Sequence, residues 1–133
     1  MDAYTYDSSN GRLVHLQRIR STQDSFRGDP GSADIHMRSD GKFLYATNRG
    51  TSNTIAVFAV AKDGKLEMKQ LLYAGGKHPR NFVIDPTDHF LLVANKDTDN
   101  VAIFTIDGKN GLLKDTGKQI SIPAPVCLKF LVP

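Results

Sequence analysis

A block of about 47 residues occurs twice in this sequence, and this repeat limits the folds that the chain can adopt. The segment Asp40–Arg49 aligns with the segment Thr87–Lys96. The segment Ile55–Val60 aligns with Val101–Ile106 at the same spacing to within one residue. A fixed period of this length indicates a repeat architecture, in which each unit buries its apolar surface against its neighbours.

Each repeat is predicted to consist of four short β-strands. Segments rich in Val, Ile, Phe, Tyr and Thr alternate with turn signals made of Gly, Asn and Asp. The dipeptides Asp63-Gly64 and Asn110-Gly111 favour tight hairpin turns because these residue types tolerate positive φ. No window shows a helical period with a cap at each end. In the second copy we predict strands at Arg80–Asp85, Phe90–Asn95, Val101–Ile106 and Leu112–Ile122.

Four strands that recur roughly every 40 to 50 residues are typical of the blades of a β-propeller. The run Phe43–Thr47 is apolar without alternation, as expected for an inner strand that neighbouring blades cover on both faces. We therefore predict an all-β fold, a partial β-propeller of four-stranded antiparallel blades. The predicted parts are the outer strands of one blade (1–30), two full blades (31–76 and 77–123) and a closing inner strand (124–133).

The number of repeats is too small for a closed ring. A propeller needs roughly four to eight blades, whereas the chain holds about two and a half. An uncovered apolar blade face favours association with other chains. We therefore expect either that the chain is part of a longer protein or that other chains complete the ring, and we expect self-association through the exposed face.

Two motifs carry a resemblance to a known family. The stretch Gly31–Arg49, which contains Ala-Asp-Ile-His at 33–36, and the motif His78-Pro79-Arg80-Asn81-Phe82 resemble late blades of the seven-bladed lactonase family. This family includes 6-phosphogluconolactonase and is similar to the fungal carboxymuconate-lactonising enzymes. The resemblance covers nearly the whole chain. It implies the final third of a seven-bladed ring, which would need roughly 330 residues in all.

Three residues are candidate catalytic groups, because lactone hydrolysis needs a general base and fixed donors for the oxyanion. His36 lies on a predicted inner strand, where the second copy has Val83, so the fold itself does not require a histidine there. With the resemblance, His36 is the candidate base, and a core or channel-lining histidine is the alternative. Arg49 and Arg80 are candidate contacts for the oxyanion and for an anionic substrate group, because a guanidinium binds two oxygens at once.

Four further polar residues are candidate substrate contacts: Asp34, Asn48, Asn81 and Lys96. Asp34 and Asn81 occupy matching positions, where they either orient His36 and Arg80 or bond one blade to the next. Lys96 takes the place of Arg49 in the second copy. Cations at both positions indicate either an electropositive funnel or solvated strand ends.

Charge and composition exclude several functions. The 17 Lys and Arg residues are scattered among 14 Asp and Glu residues, with a net charge of +3, so no basic stripe for nucleic acid is present. The four histidines lack metal spacing and Cys127, which we read as a buried thiol, cannot build a zinc site alone. We expect no metal and no cofactor. The start is unlike a signal peptide and no apolar stretch would span a membrane, which favours a cytoplasmic protein.

The resemblance implies a lactonase-type hydrolase of carbohydrate metabolism. Its expected partner is a small anionic sugar lactone, such as the 6-phosphogluconolactone of the pentose phosphate pathway. Two alternatives stay open: a non-catalytic propeller module that binds a ligand or protein, and a muconate-type lactonising cycloisomerase, which also needs cations for carboxylates.

Overall fold

The structure is a computed structural model that describes residues 1–131. This part of the chain contains ten β-strands and one short 3-10 helix, Lys96–Thr98. The strands are β1 (Asp2–Asp7), β2 (Arg12–Arg18), β3 (Ser32–Met37), β4 (Phe43–Asn48), β5 (Thr54–Val60), β6 (Leu66–Tyr73), β7 (Pro79–Ile84), β8 (Phe90–Asn95), β9 (Asn100–Ile106) and β10 (Leu113–Ser121).

The strands form three antiparallel sheets in chain order. Strands β3 to β6 make the first blade and strands β7 to β10 make the second blade, each with neighbouring strands paired in sequence. Strands β1 and β2 pair only with each other and form the N-terminal hairpin. The predicted all-β partial propeller is therefore confirmed, and the four strands of the second blade begin and end within one residue of the predicted bounds.

Glycines close the hairpins between the two outer strands of each unit. Gly11, Gly64 and Gly111 have φ angles of 74°, 83° and 70°, in the left-handed region that favours glycine. Gly111 also has a packing constraint, because a Cβ atom there would lie 2.4 Å from the Phe43 ring of the first blade. The second blade thus needs glycine at this turn for its own backbone and for its fit against the first.

Strand β4 is buried along its whole length because it packs in two directions. Phe43 and Tyr45 belong to the core between the two blades, where they meet Phe82, Leu91 and Phe104, among other residues. On the opposite face, β4 contributes to a second cluster, which Met1 and Ile19 at the two ends of the N-terminal hairpin help to cover. The run of residues 43–47 is therefore apolar without alternation because both faces of β4 are covered.

Glutamine side chains join the outer strands of adjacent units. The amide of Gln17 in β2 accepts a hydrogen bond from Leu66 N at 2.8 Å and donates one to Leu66 O at 3.0 Å. The amide of Gln70 in β6 makes the same pair of bonds to Leu113, at 2.8 and 2.9 Å. Each amide thus pairs with both backbone groups of one residue on the outer strand of the next unit. We call these two contacts the glutamine clamps.

Asparagines at the ends of β4 and β8 hold the segments that lead into each blade. Asn48 is fully buried, donates to Ser21 O and accepts from the Ser21 hydroxyl, both at 2.7 Å. Asn95 is equally buried and donates to Ala74 O at 2.9 Å, but its Oδ1 atom has no partner among the described residues. The difference arises because Ala74 has no hydroxyl where the first copy has Ser21.

We expect Ala74→Ser to raise the free energy of unfolding by about 1 kcal/mol, because the new hydroxyl would reach the unpaired Asn95 Oδ1. The matched variant Ser21→Ala should lower it by about 1–3 kcal/mol, since it leaves Asn48 Oδ1 buried and unsatisfied. Urea denaturation of both variants measures the two effects. Destabilisation by Ala74→Ser would show that the packed site around residue 74 has no room for the hydroxyl.

The predicted closing strand at 124–133 stays a prediction. Residues 124–131 form no ladder with any described strand, and residues 132 and 133 lie outside the described range. An inner strand is fixed by the second strand of its own blade, and no described segment supplies one here. The segment instead docks on the second blade through Leu128 N, which donates to Asn81 Oδ1 at 2.7 Å. Without a ladder, Cys127 is exposed rather than buried.

Candidate functional site

A histidine–aspartate pair lies on β3, the inner strand of the first blade. His36 Nε2 lies 3.1 Å from Asp34 Oδ2, and the two side chains are 40% and 22% exposed. Residues two apart on a strand point to the same face, which here is the face toward β7 of the second blade. The His36 ring packs edge-on against Phe82 of β7, with 4.8 Å between ring centroids.

The second blade holds the carboxylate of Asp34 in place. Phe82 N donates to Asp34 Oδ2 at 3.1 Å and Asn81 Nδ2 donates to the same oxygen at 2.6 Å. Burial raises the pKa of Asp34, but the bonds from Phe82 N and Ile35 N and the charge of His36 outweigh burial, so that its pKa lies below the usual range. Asp34 is therefore a carboxylate at neutral pH.

This carboxylate fixes the tautomer of the neutral His36 ring. An ionised carboxylate only accepts hydrogen bonds, so the proton of the neutral ring must be on Nε2. Nδ1 then carries the free lone pair, and no described residue forms a hydrogen bond to it. A partly exposed imidazole with an oriented lone pair is the arrangement that a general base requires.

Arg80 lies beside this pair on the neighbouring inner strand. It sits in a bulge of β7, between Pro79 and Asn81, and its side chain is exposed. It makes no hydrogen bond or ion pair with any residue in the described part of the chain. Since Asn81 contacts Asp34 and His36 lies two residues further along β3, Arg80 and His36 are roughly 10 Å apart along the strands.

Arg49 lies in a separate cleft between the loops of the two blades. The cleft has a volume of about 280 Å³, and its lining includes Arg49, Asn53, Lys77, His78 and Asp97. His78 Nδ1 lies 3.1 Å from Asp97 Oδ2, and His78 has a left-handed φ of 60°. Strain of this kind is concentrated at functional sites. His78 and Asp97 are not among the sequence-predicted site residues.

The predicted site residues thus fall into three places. Asp34, His36 and Asn81 form one hydrogen-bonded network, with Arg80 next to it. Arg49 lines the cleft, whereas Lys96 lies outside its lining, with its Nζ 3.9 Å from Oδ1 of Asp97, which does line it. Asn48 faces neither place, because it is buried against Ser21.

The register of the first blade gives the distance between the network and the cleft. Ser32 pairs with Asn48 and His36 pairs with Tyr45, so Arg49 lies beyond the level of Ser32. Four residues of strand span roughly 13 Å. One small group cannot contact both His36 and Arg49, whereas an extended substrate that reaches along β3 would approach each of them.

Residues 1–131 contain neither a candidate metal cluster nor a candidate membrane-spanning helix. No cluster of three or more His, Cys, Asp or Glu side chains is placed to hold a metal ion. None of the helices in this range is long and apolar enough to cross a membrane.

Comparison with known sequences gives consistent matches. A family model described as "Lactonase, 7-bladed beta-propeller" matches residues 1–130. The 6-phosphogluconolactonase of Bacillus subtilis (strain 168) is 36% identical over 130 residues, which are 97% of this chain and 37% of that protein. The 6-phosphogluconolactonase of Formosa agariphila is 44% identical over 122 residues, which are 88% of this chain and 33% of that protein.

Solved structures match the fold over nearly the whole chain. A protein from Lactobacillus plantarum has a TM-score of 0.94 at 36% identity, with 98% of this chain and 38% of that chain covered. The periplasmic gluconolactonase PpgL of Pseudomonas aeruginosa has a TM-score of 0.93 at 31% identity, with 98% and 36% covered. The chain therefore spans about a third of the length of the relatives that it matches.

Proposed function

The chain belongs to the seven-bladed β-propeller lactonase family, and on that premise we propose that it supplies part of the active site of a lactone hydrolase. The observation that carries the proposal is the Asp34–His36 pair. It is partly exposed on the inner strand, it is held by two bonds from the next blade, and its free nitrogen has a defined position. These are properties of a base that activates water.

This geometry suits the following proposed reaction. His36 Nδ1 takes a proton from water as the water oxygen attacks the lactone carbonyl, and a tetrahedral oxyanion forms. The ring C–O bond then breaks, and the departing alkoxide takes the proton back from the imidazolium. Lactone and water thereby become a hydroxy acid. Asp34 stabilises the imidazolium between the two steps, as an ionised carboxylate does in other histidine-based sites.

We propose a sugar lactone with an anionic group as the substrate, with 6-phosphogluconolactone as the leading candidate. Two relatives carry the name 6-phosphogluconolactonase, and one solved neighbour is a gluconolactonase. Arg80 supports an anionic substrate because it is exposed, directly precedes Asn81 of the network on β7, and has no described protein partner. The cleft between the blade loops has two cations in its lining, Arg49 and Lys77, together with the carboxylates of Asp29 and Asp97.

The test compares turnover of 6-phosphogluconolactone with that of the uncharged gluconolactone, followed by the acid that hydrolysis releases. It is made on the protein with its ring complete, whether one chain or several supply the blades. We expect kcat/KM to be about 10- to 150-fold higher for the phosphorylated lactone, the value of one charge-assisted hydrogen bond.

Two results would favour the alternatives. Binding of both lactones without hydrolysis would indicate a non-catalytic module. Lactonisation of a carboxymuconate without hydrolysis of either sugar lactone would indicate a cycloisomerase. Equal turnover of both lactones would still support a hydrolase, but it would show that the substrate does not need an anionic group.

A further inference from the structure

Asn81 is connected to the His36 base through Asp34. Its Nδ2 donates to Asp34 Oδ2 at 2.6 Å, and its Oδ1 accepts a hydrogen bond from Leu128 N at 2.7 Å. These bonds and the one between Asp34 and His36 form an unbroken chain from the segment 124–131 across the second blade to the first. Three successive repeats therefore meet in one network.

The orientation of the Asn81 amide is determined by its two neighbours. A side-chain amide has an accepting end and a donating end. Leu128 N–H can only donate, so it takes the oxygen of Asn81 and leaves the NH2 group directed at Asp34. A flipped amide would lose both bonds and would place its oxygen against the Asp34 carboxylate.

The carboxylate of Asp34 is held at both oxygens. Ile35 N donates to Oδ1 at 2.9 Å, while Phe82 N, Asn81 Nδ2 and His36 Nε2 converge on Oδ2. Two of these donors are backbone groups that the strands fix in place. Asn81 is the side chain that completes the set from the opposite blade, and its bond is the shortest of the four.

One role of Asn81 repeats along the chain and the other does not. Asp34 accepts from Phe82 N, and Asn81, at the matching position of the next blade, accepts from Leu128 N. That accepting role joins successive inner segments and needs only an oxygen. The donation toward Asp34 is an additional bond between the two blades that the repeated contact does not include, and an ionised aspartate at position 81 would be unable to make it.

We propose that Asn81 is a positioning residue, which fixes the Asp34 carboxylate by donation and thereby holds the neutral His36 ring with its proton on Nε2. The inference rests on the proposed function for its catalytic meaning, because a positioned base matters only where His36 is the base. Its structural part is independent of any activity.

Asn81→Asp removes the amide donor and also adds a like charge beside Asp34. The replacement has nearly the same shape and still accepts from Leu128 N, but in its ionised form it has no hydrogen to donate to Asp34. Asn81→Ala removes the donor without adding a charge and so excludes the effect of the charge. Nitrogen-15 NMR of His36, at a pH where the ring is neutral, reports which nitrogen carries the proton. We expect the Nε2–H form to dominate in the unchanged protein and to lose its dominance in Asn81→Asp.

The kinetic readout uses the protein with its ring complete. We expect kcat for lactone hydrolysis to fall about 10- to 100-fold in Asn81→Asp, the effect of a small misplacement of a reacting group. KM should change little, because Asn81 acts through Asp34 and not on the substrate. In an Asp34→Ala background the same change should have no further effect on kcat.

A matched pair of truncations covers the case in which Asn81→Asp does not fold. Asn81→Ala removes the donor to Asp34, and Gln70→Ala removes two bonds between the same two blades at their outer strands. We expect both to lower stability, but only Asn81→Ala to alter the His36 tautomer and kcat. Equal behaviour of the two variants would overturn the positioning role.

The positioning role of Asn81 and the role of His36 as the base are contradicted by different results. An unchanged His36 tautomer in Asn81→Asp and Asn81→Ala would overturn the positioning role, whatever happens to kcat. An altered tautomer with an unchanged kcat would retain the positioning role and would overturn His36 as the base of the proposed reaction.

Discussion

Replacement of His36 by glutamine should lower kcat for lactone hydrolysis by about 10²- to 10⁴-fold, the usual contribution of a general base. Glutamine still fills the space beside Phe82, so the fold and KM should be kept. The base acts on water only as the transition state forms, and its loss therefore appears in kcat. Initial rates at saturating lactone measure the effect, and circular dichroism verifies the fold.

A second histidine provides the control. His89 is exposed in the turn before β8, away from the inner strands, where its ring contacts Thr87. His89→Gln should leave kcat unchanged. A loss of less than about tenfold in His36→Gln would remove His36 from the role of base, and the alternative of a channel-lining histidine would then stand.

Replacement of Arg80 by alanine should raise KM for a phosphorylated lactone by about 10- to 150-fold, which corresponds to a charge-assisted hydrogen bond of about 1.5–3 kcal/mol. KM for the uncharged gluconolactone should change little, because that substrate has no anion for the guanidinium. The contact is made in the ground state and the transition state alike, so kcat should be largely kept. Steady-state kinetics on the two lactones separates these expectations.

Arg12→Ala is a suitable control for the change in net charge, since Arg12 is exposed on the N-terminal hairpin. Arg12→Ala should leave KM unchanged for both the phosphorylated lactone and gluconolactone. If Arg80→Ala and His36→Gln both caused equal, small losses on both lactones, the two residues would be structural. The catalytic groups would then lie outside this chain, which spans about a third of its relatives.

The fold was largely predictable because its main constraints are local and repeated. The turn glycines of the two full blades, Gly64 and Gly111, recur at the spacing of the apolar runs, and each blade pairs its strands in chain order. The segment 124–131 shows the limit of that reasoning. Its composition resembles β7, but a strand also needs a ladder partner, and composition alone does not reveal whether one is present.

The candidate site was predictable only in part. Asp34 and His36 share a face because they are two residues apart on a strand, and the matching positions of Asp34 and Asn81 indicated a bond between blades as one alternative. The burial of Asn48 depends on Ser21, and the His78–Asp97 pair depends on how loops from different strands approach each other. Contacts of this kind, like the left-handed φ of His78, have no local sequence pattern.

The glutamine clamps have a consequence for how the site can respond to a ligand. The first and second blades are fastened at the outer edge by Gln70 and at the inner edge by Asp34 and Asn81. Two bodies joined at both edges of a shared face cannot swing about either edge as a hinge. A bulky ligand therefore cannot widen the gap between the inner strands by tilting a blade, and any adjustment to its size must come from the connecting loops, such as the one that carries Arg49.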